Sequence, residues 1–287
     1  MKAIFTCTLC LVCLLCTSFV TDTGWTHLLD KNLSKWGMYL SYRHKLGYKG
    51  EVPKDAKGSP LKPIGYNKNE AKVFTVTEVN GEPVLRISGE IYGCVYTKQE
   101  FSNYHLKLMV KWGDKKWVPR LNEPKDSGVI YHSQGPAGVD YWHAWMLGQE
   151  LQVMEAGCGD YWCIASSAAK IRTLNTAAKK DTLVYSPKGK ITIMGSGNNF
   201  VQQSHNYEKP SGQWNLIELI CFGDKSIHIV NGHVVMAISG STYKDGDQLK
   251  PLVKGKLQLQ SEAAEVFYKQ VMIKPIDKVP AQYTAYF

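Results

Sequence analysis

The chain has 287 residues, is 44% hydrophobic and 21% charged, and carries a formal net charge of +9. A chain of that length buries a core without covalent staples. Its lysines are scattered through turns and strand edges, with no basic run longer than a Lys-Lys pair, which excludes a nucleic-acid-binding reading in favour of a solvated basic surface.

The chain opens with Met1-Lys2, an apolar run over 3–16 and a polar stretch to Thr23. That is the layout of a secretory signal peptide over 1–20, and the run is too short for a membrane span. Export follows as an expectation, with cleavage after Ser18 or Val20. Lipidation at Cys16 is the alternative, although Cys13 stands where a lipobox carries an aliphatic residue. Four of the eight cysteines lie in this leader, so the remainder holds only Cys94, Cys158, Cys163 and Cys221. Cys158 and Cys163 are spaced to close one small disulfide loop in an oxidising compartment. Cys94 and Cys221 sit in apolar strand-like contexts and read as small buried hydrophobes. No C-x-x-C pair lies beyond the leader, which argues against structural zinc.

From there on, short alternating apolar runs follow one another at 73–79, 84–88, 104–112, 128–132, 150–154, 190–194, 216–222, 226–230, 233–238, 256–260 and 266–273. Asn80-Gly81 and Asn231-Gly232 mark tight hairpins and Gly223-Asp224 a third turn. Helical periodicity is weak throughout, the one candidate stretch being 165–171. Many short strands and few helices predict an all-β sandwich forming a single domain over 24–277, with 278–287 as a C-terminal tail. Residues 42–69, rich in Gly, Pro and Lys, read as a long irregular excursion of the kind that shapes a binding rim. Along 104–112, one face carries Tyr104, Leu106, Leu108, Val110 and Trp112, and the other His105, Lys107, Met109 and Lys111. The second face is either solvated or the lining of a groove.

The run QELQVME over 149–155 places two carboxylates in a strand. Side chains alternate, so Glu150, Gln152 and Met154 share one face and Glu155 the other. A β-bulge near Val153 or Met154 would bring Glu155 round to Glu150. Otherwise the strand ends at Met154. Charge inside an apolar run is costly unless it has partners or a task. Salt bridges to Lys107 or Lys111 across the sheet are the plain explanation.

The ordered segments resemble the 3-keto-disaccharide hydrolase domain family. Gly24-Trp25-Thr26-His27-Leu28-Leu29-Asp30, with Leu33 and Trp36, resembles its opening. Asn103 to Lys107 with Lys111-Trp112-Gly113, Asp126-Ser127-Gly128 through Tyr131-His132, and Glu150-Leu151-Gln152-Val153 are similar to its successive strands. So are Gln213-Trp214-Asn215 through Glu218 with Asn231-Gly232, and Gly255 to Gln260 with Glu262, Val266 and Ile273. The resemblance implies a concanavalin-like jelly-roll sandwich of two antiparallel sheets, export to a bacterial periplasm or cell surface, and cleavage of glycosides already oxidised at C3. It also implies a partner sugar oxidoreductase that makes the ketone. Glu155 stands where many members have aspartate.

A C3 ketone acidifies the C2 hydrogen, so expulsion of the C1 substituent becomes a β-elimination and water addition completes a hydrolysis. Such a site needs a base, a cation or donor for the enolate, and an acid for the leaving oxygen. The candidate base is Glu150 or Glu155, the enolate partner Lys111 or Arg120, and the acid His132. Gln152 and Gln260 are candidates for holding hydroxyls, and Trp112, Trp145 and Trp162 for stacking on a sugar. Asp126, Asp160 and Glu262 join Arg120 as substrate contacts. A divalent metal held by Glu, His and Asp would serve the enolate equally, though the spacing fits no metal motif. E-L-Q-V-M-E is also similar to the E-x-D-x-x-E strand of laminarinase-like retaining glycosidases, whose carboxyls stand about 5 to 5.5 Å apart. Four strand steps put Glu150 and Glu155 about 13 Å apart, and Gln152 replaces the helper aspartate. A third reading is a non-catalytic carbohydrate-binding module.

Overall fold

The computed structural model describes residues 24–175 and 182–287, so the expected leader, with Cys16, lies outside the described residues. The described chain forms two antiparallel sheets, of twelve and eight strands, in a jelly-roll sandwich. At the centre of the larger sheet, Tyr104–Lys116 lies between Asn215–Phe222 and Ala264–Pro275. In the smaller sheet the neighbours run Tyr161–Ile164, Leu147–Met154, Asp126–Gln134, Lys256–Ser261, Gly93–Thr97 and Trp36–Leu40.

Alternation along these strands builds the core. Leu106, Leu108, Val110, Ile217 and Tyr268 of the larger sheet meet Val129, Tyr131, Leu151, Val153 and Leu259 of the smaller in one buried cluster. The hairpins follow their turn residues. Asn80 and Gly81 have φ of 53° and 77°, and Asn231 and Gly232 of 49° and 84°, the left-handed pair that a two-residue loop needs to match the strand twist.

The stretch expected to be helical is instead the strand Ser167–Asn175, with Ser167, Ala169, Ile171 and Thr173 buried on one face. The C-terminal residues are a docked 3-10 turn, Ala281–Tyr286, whose Tyr283 and Tyr286 pack on a cluster containing Ile220, Ile227 and Ala237. The expected Cys158–Cys163 disulfide is not formed. Both thiols are free and buried, Cys158 in the main core and Cys163 in the cluster at the sandwich end, where its sulfur lies 3.2 Å from the Tyr161 hydroxyl.

The outer face of the smaller sheet carries its own apolar cluster, including Tyr39, Tyr92, Cys94, Ile130 and Trp145. The excursion over 42–69 and the loop over 135–146 are clasped together above this sheet. Tyr48 stacks on Trp142 with ring centroids 5.1 Å apart and donates its hydroxyl to the Tyr141 carbonyl at 2.9 Å. His143 Nε2 meets the Gly50 carbonyl at 3.0 Å and His44 Nε2 the Trp142 carbonyl at 3.0 Å. The irregular excursion thus becomes a fixed wall beside an open part of the sheet.

Candidate active site

Beside that wall the outer face opens into a cleft of about 480 Å³. Three strands supply its floor. Glu150 lies opposite Ile130 on one side and Trp162 on the other, and Gln152 lies opposite Gly128. Directly paired residues share a face, so Glu150, Gln152 and Trp162 emerge together. Asp126 begins its strand and bridges to Glu262 just beyond the end of Lys256–Ser261. Arg120 reaches the same place from the turn after Tyr104–Lys116, which is anchored by Trp117 N–H on the Ala263 carbonyl at 2.8 Å.

Two buried carboxyls, Asp126 and Glu262, share the Arg120 guanidinium with the exposed Glu123, and a third buried carboxyl, Glu150, stands near Asp126. Arg120 Nη2 lies 2.8 Å from Asp126 Oδ2 and Nη1 3.3 Å from Glu262 Oε1, while Gln152 Nε2 donates to Asp126 Oδ1 at 2.9 Å. One positive charge cannot neutralise three carboxylates in a site that is nearly closed to water. Burial, opposed by Arg120, pushes Asp126 up to about 7. Burial and the neighbouring Asp126 charge push Glu150 and Glu262 well above the usual carboxylate range. The site is thus built to hold one carboxylate and protonated carboxyls side by side, the pairing that acid–base chemistry requires.

Gly128 explains why a glycine stands in Asp126-Ser127-Gly128. A Cβ there would lie 2.1 Å from Glu150 Oε1 and 2.6 Å from Gln260 Oε1, so any side chain would displace the carboxyl. Gln260 is fully buried beneath the floor, its amide facing Glu150. Trp162 stands 37% exposed at the wall, and Trp145, which also lines the cleft, is buried with its indole N–H on the Gly93 carbonyl at 3.0 Å.

Five expected residues fall elsewhere. No bulge forms near Val153: the strand ends at Met154, and Glu155 turns out to Lys125, whose N–H donates to it at 3.1 Å and whose ammonium lies 3.5 Å away. Partial burial would raise its pKa, but these Lys125 contacts hold it below the usual value. The irregularity sits instead between Tyr131 and Gln134, where His132 adopts φ 52°. That turn buries His132 with Nδ1 on the Leu252 carbonyl at 3.0 Å and its ring edge against Tyr104, and burial pushes its pKa down to about 4. Lys111 lies on the other sheet, 5.2 Å from the Trp214 ring centre, and Trp112 is in the main core. Asp160 fixes a turn, its Oδ1 accepting from Gln203 N–H at 2.7 Å. Because Glu155 is outside the cleft, the retaining pair Glu150/Glu155 does not exist. The expected salt bridges of the two glutamates to Lys107 or Lys111 are absent too, since both lysines belong to the larger sheet.

Asp140 and Trp142 line the cleft without having been anticipated. Asp140 accepts backbone N–H bonds from Trp142, Ala144 and Trp145 at 2.8, 2.8 and 2.7 Å, which fixes the aromatic loop. The aromatic density of Tyr141-Trp142-His143-Ala144-Trp145 was the available signal. Among the described residues no group of three or more His, Cys, Asp or Glu is arranged to hold a metal ion.

Residues 24–274 match the 3-keto-alpha-glucoside-1,2-lyase-like domain. The chain belongs to that family. Membership makes it a carbohydrate-active chain of the glycoside-hydrolase type. Solved structures similar to it include a proposed glycosyl hydrolase from Parabacteroides distasonis, 16% identical, covering 88% of this chain and 99% of that one with a TM-score of 0.46. A Bacillus subtilis protein of unknown function with a galectin-like fold is 12% identical over 87% and 94%, TM-score 0.42. The family GH16 endo-beta-1,3(4)-glucanase SCLam is 13% identical over 89% and 93%, TM-score 0.37. No curated protein matches the chain.

Proposed function

We propose that the cleft cleaves 3-keto-glycosides by elimination and hydration. The observation that carries this reading is the cluster of Asp126, Glu150 and Glu262 around Arg120, with raised carboxyl pKa values and an aromatic wall.

Asp126 lies closest to the guanidinium, which opposes the upward push of burial, and in its ionised form it takes the C2 proton. As it does so, its negative charge passes to the ketone oxygen as an enolate, within the field of the Arg120 cation that has just lost its own counter-charge. The enolate collapses, the C1–O bond breaks, and protonated Glu150 gives its proton to the departing oxygen. Water then adds at C1, Glu150 takes back a proton, and Asp126, its proton having exchanged with solvent, protonates C2, so the enzyme ends as it began. Glu262 shares the guanidinium with Asp126, and Gln152 orients Asp126. Trp162, next to Glu150 across the strands, is placed for a sugar ring to stack. This chemistry needs no nucleophilic carboxylate, which fits the loss of Glu155 from the site.

The same reading carries export by the 1–20 leader and a partner oxidoreductase that makes the ketone. Sequencing the N-terminus of chain recovered from the periplasm or medium tests export. The test of the reaction is sugar release from matched glucosides with and without the C3 ketone. Cleavage of the ketone form alone is expected. Equal cleavage of the unoxidised form contradicts elimination, and binding without cleavage of either leaves a carbohydrate-binding module.

A further inference from the structure

The cleft does not stop at Trp162. Two of its wall residues, Val139 and Ala165, also line a second, more open basin of about 640 Å³. Val139 is 46% exposed and forms a low saddle between the two spaces. The far wall of the basin is Tyr243 to Asp245 at the end of the strand His233–Asp245. Regular structure holds that wall: Ser167 pairs with Tyr243, Ser166 Oγ donates to the Lys244 carbonyl at 3.0 Å, and Lys244 N–H donates to the Ser166 carbonyl at 3.2 Å. The basin thus lies where strand ends of the two sheets come together, Leu147 at the start of Leu147–Met154 in the smaller and Tyr243 near the end of His233–Asp245 in the larger.

Its chemistry is two-sided. Pro136, Leu147 and Tyr243 offer apolar surface, while Ser166, Lys244 and Asp245 set hydrogen-bond donors and acceptors at the rim. A pyranose has the matching halves, a face of C–H groups and a rim of hydroxyls. The acidic cleft alone is already of the size that encloses a drug-sized ligand, about 300–1,000 Å³. A disaccharide fills such a space and leaves the second basin empty.

We propose that this basin is a further saccharide subsite, so that the substrate is an oligosaccharide of three or more rings crossing the Val139 saddle toward Tyr243. The inference rests on the reading of the cleft as a glycoside-cleaving site, with the ketone ring over the acidic floor and the distal rings in the basin.

Calorimetric titration of the full chain with unoxidised α-linked gluco-oligosaccharides of two, three and four units tests binding. Turnover of their 3-keto forms tests use. The expected result is an affinity and a kcat/KM about tenfold higher for the three-unit than for the two-unit ligand. Tyr243→Ala should bring that ratio down toward one. Val139→Trp, a larger side chain at an exposed loop position, should do the same by blocking the saddle, and it serves if the strand variant folds poorly. A flat length series in a chain that cleaves the keto-disaccharide overturns the subsite and leaves the proposed reaction standing. A length-dependent affinity without cleavage of any ketone form keeps the subsite and overturns the reaction. No measurable binding at any length overturns the subsite.

Discussion

Glu218 and Glu150 stand at the middle of strands on the outer faces of the two sheets, yet the structure treats them oppositely. Glu218, on the larger sheet, meets His105 Nε2 at 2.8 Å and Lys107 Nζ at 3.3 Å. Burial alone would raise its pKa, but these partners outweigh it and hold the carboxyl below its usual value. Glu150 is closed off from water and has the Asp126 charge nearby, and the Gln260 amide and the Arg120 charge offset this only in part, so its pKa goes up. A strand carboxylate is thus stabilising or reactive according to how many cations it has and how many acids it must share them with. The outer face of the larger sheet is solvated structure, while that of the smaller sheet is walled by the 42–69 excursion and holds strained charge.

The largest effect that would break this contrast lies at the acids themselves. Asp126→Asn and Glu150→Gln should each lower kcat by about 10²–10⁴-fold, the usual cost of a lost general base or acid. The rate of the unmodified chain should fall on the acid side as Asp126 becomes protonated near pH 7. Both variants should also be more stable than the parent above pH 7. A carboxyl with a raised folded pKa favours the fold fully at low pH, and that contribution is lost as pH rises through the folded value. Thermal unfolding at pH 4 and pH 8 should therefore show the gain only at pH 8.

Next in size is Gly128→Ala. Its Cβ would press on Glu150 Oε1 without changing any ionisable group, and a misplaced acid should cost about 10²-fold in kcat. Trp162→Ala should raise KM by about two- to tenfold with a smaller change in kcat, as expected for the loss of a stacking surface of about 0.5–1.5 kcal/mol. The smallest effect belongs to the other sheet. Glu218→Gln should leave kcat/KM within about twofold and cost on the order of 1 kcal/mol of stability at neutral pH. That loss should disappear as the pH falls through the lowered folded pKa, the reverse of the cleft variants.

Local chemistry made much of the fold legible. Asn80-Gly81 and Asn231-Gly232 read directly as hairpins because few other dipeptides accept two left-handed residues in succession. Alternation over Tyr104 to Trp112 separated core from solvent face correctly, since large apolar groups mark the buried side. Over 167–175 the buried side is Ser167, Ala169, Ile171 and Thr173, and small residues conceal a period of two. In the site, Glu150, Gln152, Asp126, Glu262 and Arg120 were readable as candidates because charged residues inside strands are uncommon. Glu155 and His132 were not separable from them. The position of a bulge decides which face each one joins, and the bulge fell between Tyr131 and Gln134. Asp140 was invisible because its three backbone hydrogen bonds exist only once the loop is closed.

The central claim is that Asp126 removes the C2 proton of a 3-keto-glycoside. Its most direct test is cleavage in heavy water, following deuterium at C2 of the released keto-sugar against the exchange of that free sugar alone. The account predicts one deuterium at C2 for each bond cleaved by the parent chain, and the loss of both cleavage and incorporation in Asp126→Asn. Cleavage that retains the original C2 hydrogen, or that proceeds equally in Asp126→Asn, would contradict it.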